Sequence, residues 1–226
     1  MGETSEESGK TKVELEKKIC ELSGGGRISE SIELCRQYIA LNRENASVYN
    51  TYGFMLYKTG DINGAITNLE EAIRLKPDFP GAYYILGISY YQQASFVKAI
   101  ERFEKCLQLD PSFSMAYYWL GLAYYQRGER EKSINAYIDL LKVSPGFIIS
   151  HYHLGMAYNS KGDYNQAIPH FKKIIESDSD CKAVFYHLGY AYYKTGKLSE
   201  AIKTFRHAIK VNPDDKRSRD MLDSFI

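Results

Sequence analysis

The sequence predicts an all-α fold, an α-solenoid of antiparallel helical hairpins set one after another. Three observations predict it. A glycine returns every 34 residues, at Gly53, Gly87, Gly121, Gly155 and Gly189. Other markers keep step with it through five consecutive copies, without one insertion. The apolar markers fall three or four apart, the spacing that gathers side chains on one face of a helix.

The elements follow in order. Residues 1–11 are polar and acidic, without apolar periodicity, and are expected to form a disordered tail. Residues 12–45 fit the period weakly: Gly26, Ser31 and Cys35 stand at the turn, small and aromatic positions, but Ile19 replaces the key glycine. This is a degenerate unit, with Ile28 to Leu41 as its better helix and Ser23-Gly24-Gly25-Gly26 as its turn. Five full units then occupy 46–79, 80–113, 114–147, 148–181 and 182–215. One residue before the glycine stands Tyr52, Leu86, Leu120, Leu154 or Leu188, and three after it Leu56, Tyr90, Tyr124, Tyr158 or Tyr192. Twelve after comes a small residue (Ala65, Ala99, Ser133, Ala167, Ala201), and sixteen after a large one (Leu69, Phe103, Tyr137, Phe171, Phe205). Turns such as Lys58-Thr59-Gly60-Asp61 and Lys194-Thr195-Gly196-Lys197 split each unit into two helices. The glycines and small residues let those helices approach closely. Pro77, Pro111, Pro145 and Pro213 close four units, because proline cannot continue a helix. Asp78, Ser112 and Asp214 behind three of these are expected to help cap the next helix. The fourth unit departs from the others: Pro169 lies inside its second helix and Ser179 replaces the closing proline, which suggests a hinge near 169–181. Residues 216–226 form a capping helix that turns Met221, Leu222, Phe225 and Ile226 onto the last unit.

This register resembles the tetratricopeptide repeat family, whose pattern runs W-x2-L-G-x2-Y, then A-x3-F, then P. The resemblance implies a right-handed superhelix of hairpins that binds other proteins along the first helix of each unit.

Composition excludes several other classes. A formal charge of +1 provides no field to gather nucleic acid, so no nucleic-acid partner is expected. No apolar run approaches the roughly 18–20 residues that cross a bilayer, so no direct membrane insertion is expected either. Cys20, Cys35, Cys106 and Cys181 are scattered, without a CxxC pair, which suits a reducing, cytoplasmic location. No phosphate loop, nucleophile elbow or dinucleotide fingerprint is present, and the chain is read as non-catalytic, without metal or cofactor. His151 and His153 stand two apart and diverge on a helix, and no cysteine or carboxylate completes a metal set with them. Twenty tyrosines against one tryptophan are mostly architectural, being repeat markers.

By the resemblance, ligand contacts come from the second, fifth, ninth, twelfth and thirteenth positions of a unit. The fifth positions hold Asn50, Tyr84, Tyr118, Tyr152 and Tyr186, and the twelfth hold Tyr57, Tyr91, Tyr125, Asn159 and Tyr193. The ninth positions are apolar throughout (Phe54, Ile88, Leu122, Met156, Tyr190), where the family usually carries a polar residue. Ile85, Trp119, His153 and His187 at the sixth positions, with Met115 and Ile149 at the second, extend that face. Met115, Trp119, Leu122 and Ile149 are expected to cluster at the middle of the array, where hot spots concentrate. The lysines and arginine with which chaperone-binding members hold an acidic tail are missing: Asn50, Phe54, Ile85, Met115 and Trp119 stand there instead. The expected ligand is therefore an apolar or amphipathic peptide or helix of a partner protein, held in the concave groove of an adaptor. Two alternatives stay open. One is a self-assembling scaffold, a homo-oligomer whose degenerate 12–45 unit docks in a neighbour's groove, as in the magnetosome-associated member of the family. The other is the repeat module of a larger enzyme complex.

Overall fold

The structure is a computed structural model that describes residues 3–178 and 181–225, with side chains from Lys12 onward. Among the described residues there are thirteen helices and no strand. Ser179 and Ile226 lie outside them, so the end of the expected hinge and the last apolar residue of the expected cap have no structural account.

The chain forms two compact units, residues 1–116 and 117–226. The first holds α1 (Glu3–Gly24), α2 (Ile28–Leu41), α3 (Ala46–Thr59), α4 (Ile62–Leu75), α5 (Pro80–Gln92) and α6 (Phe96–Leu109). The boundary falls within α7 (Ser114–Gln126), and the second unit continues through α8 (Arg130–Val143), α9 (Ile149–Lys161), α10 (Tyr164–Ser177), α11 (Lys182–Lys194), α12 (Leu198–Val211) and α13 (Lys216–Asp223). In the first unit each helix packs on the next in sequence, and α1 meets α3 as α3 meets α5. In the second, α8 to α13 pack successively and α9 meets α11. Each unit is thus a stack of hairpins, as the period requires.

What locks a hairpin is visible at the glycine. A Cβ on Gly155 would stand 2.6 Å from the ring of Phe171, one on Gly87 2.5 Å from Phe103, and one on Gly189 2.7 Å from Phe205. The large residue sixteen positions on therefore fills the space that the missing side chain leaves. The degenerate unit inverts this pair: Ile19 supplies the bulk and Cys35, at the aromatic position, supplies the gap. Both are buried, in one cluster with Tyr38 and Val48. Total volume is conserved across the crossing, which is the substitution that cores tolerate best.

Turn chemistry follows the period with one exception. Gly26, Gly60, Gly128, Gly162 and Gly196 close first helices at positive φ, where a glycine carries no steric penalty, but the equivalent residue in the second full unit is Ala94, at φ 56°. Left-handed backbone costs a non-glycine residue about 1–2 kcal/mol. Ala94→Gly is therefore expected to stabilise the chain by about 1 kcal/mol in urea unfolding. No gain would mean that the turn holds Ala94 without strain.

Three expectations are corrected. Helix α1 begins at Glu3, so residues 3–11 are helical rather than a disordered tail. Once α1 is nucleated on its packed half, each further residue adds a hydrogen bond. The capping helix stops at Asp223, because the Phe225 N–H turns back to the Leu222 carbonyl at 3.1 Å. That turn sets the Phe225 ring 5.5 Å from Tyr193 and 6.4 Å from Phe205. The residues after the closing prolines do not cap as expected: α13 is capped by Asp215, α5 has no side-chain cap, and Ser112 donates to Asp110. Pro169 lies inside α10, as expected, on an exposed face beside the exposed Asn165.

Candidate protein-interaction face

The first-helix face is built differently in the two units. In the first, Phe54 and Tyr57 of α3 and Tyr84 and Tyr91 of α5 are half-buried, and Met115 is 36% exposed. Ile85 and Ile88, expected to line the groove, are only 8% and 4% exposed, so neither lines it. The cause is legible in α5, Pro80–Gln92, which is apolar all round rather than along one stripe. A helix of that kind is buried on several sides, and α5 is held among α3, α4 and α6.

In the second unit the face stays accessible. Leu122, Met156 and Tyr190, the ninth positions of α7, α9 and α11, are half-buried, Ile149 is 48% exposed and Tyr193 38% exposed. Trp119, Tyr125, Tyr152, His153, Tyr186 and His187 are half-buried beside them. Because Met115 belongs to the first unit, the expected central quartet reduces within one unit to Trp119, Leu122 and Ile149.

The tyrosine ladder proves to be the mortar between hairpins. Tyr118 meets the ring of Phe147 at 5.7 Å and that of Tyr137 at 6.5 Å, and its hydroxyl lies 3.2 Å from His153 Nε2 in the next first helix. Tyr152 repeats the step onto His187 at 6.1 Å, and Tyr84 packs on Phe113 at 4.9 Å. These rings bridge consecutive hairpins through offset and edge contacts, which aromatic pairs favour. At the last rung the Arg217 guanidinium of α13 lies 4.3 Å over Tyr186 and covers it in place of a further hairpin. In the first unit, Gln92 donates to the Tyr57 hydroxyl at 3.0 Å, joining α5 to α3.

The histidines separate as helical geometry demands. His153 stacks on Tyr137 at 5.6 Å, on the first-helix side, whereas His151 turns away to His170, with the two Nδ1 atoms 2.9 Å apart. Burial lowers the pKa of His153, His170 and His187 to about 4 in each case, and that of His151 is also lowered. Among the described residues, no three His, Cys, Asp or Glu side chains stand together in a way that could hold a metal ion. Burial pushes the Cys106 thiol up to about 12 and Cys35 to about 11, so neither offers a thiolate near neutral pH.

Sequence reasoning missed the other side of the hairpins. At about 100° per residue, positions 4, 7 and 11 of a first helix point opposite to positions 2, 5, 9 and 12. A cleft of about 490 Å³ opens on that opposite side, between α10, α11 and α12. The one signal available was at the fourth position of the last unit, where Phe185 stands in place of a tyrosine or histidine.

Successive hairpins that present a row of first-helix side chains define a helical-repeat protein. The comparisons name the family. A family model described as TPR repeat matches residues 53–94 and 95–128, and two described as tetratricopeptide repeat match 115–146 and 159–223. The chain belongs to the tetratricopeptide repeat family.

Among solved structures, YrrB, a TPR protein with an unusual peptide-binding site, matches with a TM-score of 0.77 over 83% of this chain and 96% of YrrB; at 20% identity that likeness shows the fold. MamA matches with a TM-score of 0.69 and 28% identity, over 76% of this chain and 93% of MamA. Protein FlbA of Caulobacter vibrioides is 40% identical over 60 residues, which is 26% of this chain and 10% of FlbA, so the match spans about a tenth of that protein. No helix among the described residues is long and apolar enough to cross a membrane.

Proposed function

We propose that this chain is a non-catalytic adaptor that holds an apolar or amphipathic peptide or helix of a partner protein against the first-helix face of residues 117–226. The observation that carries this reading is the contrast at the ninth positions. Ile88 is sealed, while Leu122, Met156 and Tyr190 keep part of their surface, with Ile149 beside them 48% exposed. Apolar side chains left open in a row are the usual mark of a binding surface, and a row along helices suits a helix laid in a groove. The peptide-binding site of YrrB, a protein of the same fold, supports the reading. The cations on this face, Lys194 over Tyr190 at 5.4 Å and Arg217 over Tyr186 at 4.3 Å, lie against aromatic rings, so the contact is apolar with a polar rim rather than a charge clamp.

The self-assembly alternative needs the 12–45 hairpin to dock in another copy. Here Ile19, Cys35 and Tyr38 form one core with Val48 of α3, an arrangement that ties the hairpin to its own neighbour and supports the adaptor reading.

The test is capture from an extract of the source cell, followed by rebinding of the purified partner. Leu122→Lys is expected to weaken that partner at least tenfold, about 1.4 kcal/mol, while helical circular dichroism and Tm stay near those of the unaltered chain. Sedimentation should show the unaltered chain as a monomer. Equal binding by the variant, or an oligomer that Leu122→Lys dissolves, would sink the reading.

A further inference from the structure

We propose that the cleft between α10, α11 and α12 is a second binding site, on the opposite side of the hairpins, for an acidic peptide segment that carries a bulky apolar side chain. Its lining is apolar, Ile175 and Tyr192 over the buried Phe185 and Leu188 with His207 against Phe185, and its rim carries Lys172 and Lys203. At about 490 Å³ it falls within the range of clefts that hold ligands, roughly 300–1,000 Å³.

Charge complementarity selects the occupant. Neither Lys172 nor Lys203 engages a carboxylate among the described residues, and the carboxylate at the rim, Glu176, lies 3.6 Å from Lys173 on the same helix. Thr204 spends its hydroxyl hydrogen on the Glu200 carbonyl at 2.7 Å. The two flanking helices carry Lys172, Lys173, Lys203, Arg206 and Lys210 against Glu176 and Glu200. Exposed ammonium groups over a greasy floor match a leucine or phenylalanine flanked by glutamates or aspartates. A fatty acid fits poorly, because its chain needs an enclosing tunnel and this cleft is open to solvent along its length.

The same repeat positions elsewhere act as internal controls. In the preceding hairpin they hold His151, Tyr158 and His170, which stack on one another at 5.2 and 5.6 Å and fill the space. Beside α8 the equivalent cleft is about 190 Å³; Lys132 there is held by Glu129 at 2.8 Å, and Asp139 by Lys142 at 2.8 Å. Between α2, α3 and α4 it is about 640 Å³ but polar: Arg36 donates to Tyr52 at 2.9 Å and Arg74 pairs with Glu71 at 2.7 Å. Only at α10–α12, among these, do unengaged cations face an apolar floor.

The experiment uses the full chain and a fluorescein-labelled octapeptide, leucine-phenylalanine flanked on each side by three glutamates, read by anisotropy. Saturable binding is expected that weakens with added salt, falls at least tenfold in Lys172→Glu/Lys203→Glu, and is unchanged in Leu122→Lys. The doubly reversed variant should instead bind the octapeptide made with lysines. Absence of saturable binding, or equal binding by the doubly reversed variant with its helicity intact, overturns the proposal. So does saturable laurate binding that the same two substitutions abolish, or self-association lost in that variant, which would assign the cleft to a fatty acid or to a second copy.

Discussion

Lowering the pH from about 7 to about 5 is expected to unfold residues 117–226 while residues 1–116 stay folded. All five histidines lie in the second unit, and burial holds His153, His170 and His187 near pKa 4 against an ordinary value near 6.5. Between those two values the unfolded chain binds protons that the folded chain refuses. Stability is therefore complete above about 6.5, falls as pH drops toward 4, and levels off below. Each group loses about 1–2 kcal/mol by pH 5, the lower figure allowing for their partial exposure. Three together approach the whole stability of a small unit. Burial is the main cause of the His170 shift and proximity to His151, 2.9 Å away, a lesser one, because two imidazolium charges at that distance repel. Trp119, the single tryptophan, lies in the same unit and reports its unfolding by fluorescence, while regional hydrogen exchange follows the other. His153→Gln and His187→Gln should each flatten the profile. Loss of both units in parallel, or an acid profile indifferent to these substitutions, would refute the assignment.

The second large effect is at the lock of a hairpin. Phe171→Ala is expected to cost about 3–5 kcal/mol, since the ring is fully buried and its neighbours cannot close the space. Gly155→Val should cost about 1–3 kcal/mol by driving a side chain into that ring, 2.6 Å from where its Cβ would stand. The two faults oppose each other. The double variant is expected to be more stable than their sum by about 1 kcal/mol or more, measured as a double-mutant cycle in urea. Simple additivity would mean that glycine and ring do not share one space. The Ile19 and Cys35 pair shows the same exchange of volume already made within this chain.

Much of the fold was legible because its signals are local. Helix Ile28–Leu41 matches the expected helix to the residue, since turn glycines and apolar spacing act within a few positions of themselves. The candidate face was legible only as a row of positions. Ile85 and Leu122 look alike in sequence as apolar residues of a first helix, yet one is sealed and the other partly open. Arg217 over Tyr186 joins residues 31 apart in sequence, a pairing that no repeat marker announces.

Periodicity alone established the helical pairs, their lengths, their turns and the tight crossing at each glycine, because these depend on residues within one unit of 34. Tertiary structure decided which sides of those helices remain open, where cations meet an apolar floor, and which histidines are kept neutral. Exposure and desolvation are properties of the neighbour's volume, and the neighbour is known only once the hairpins are stacked.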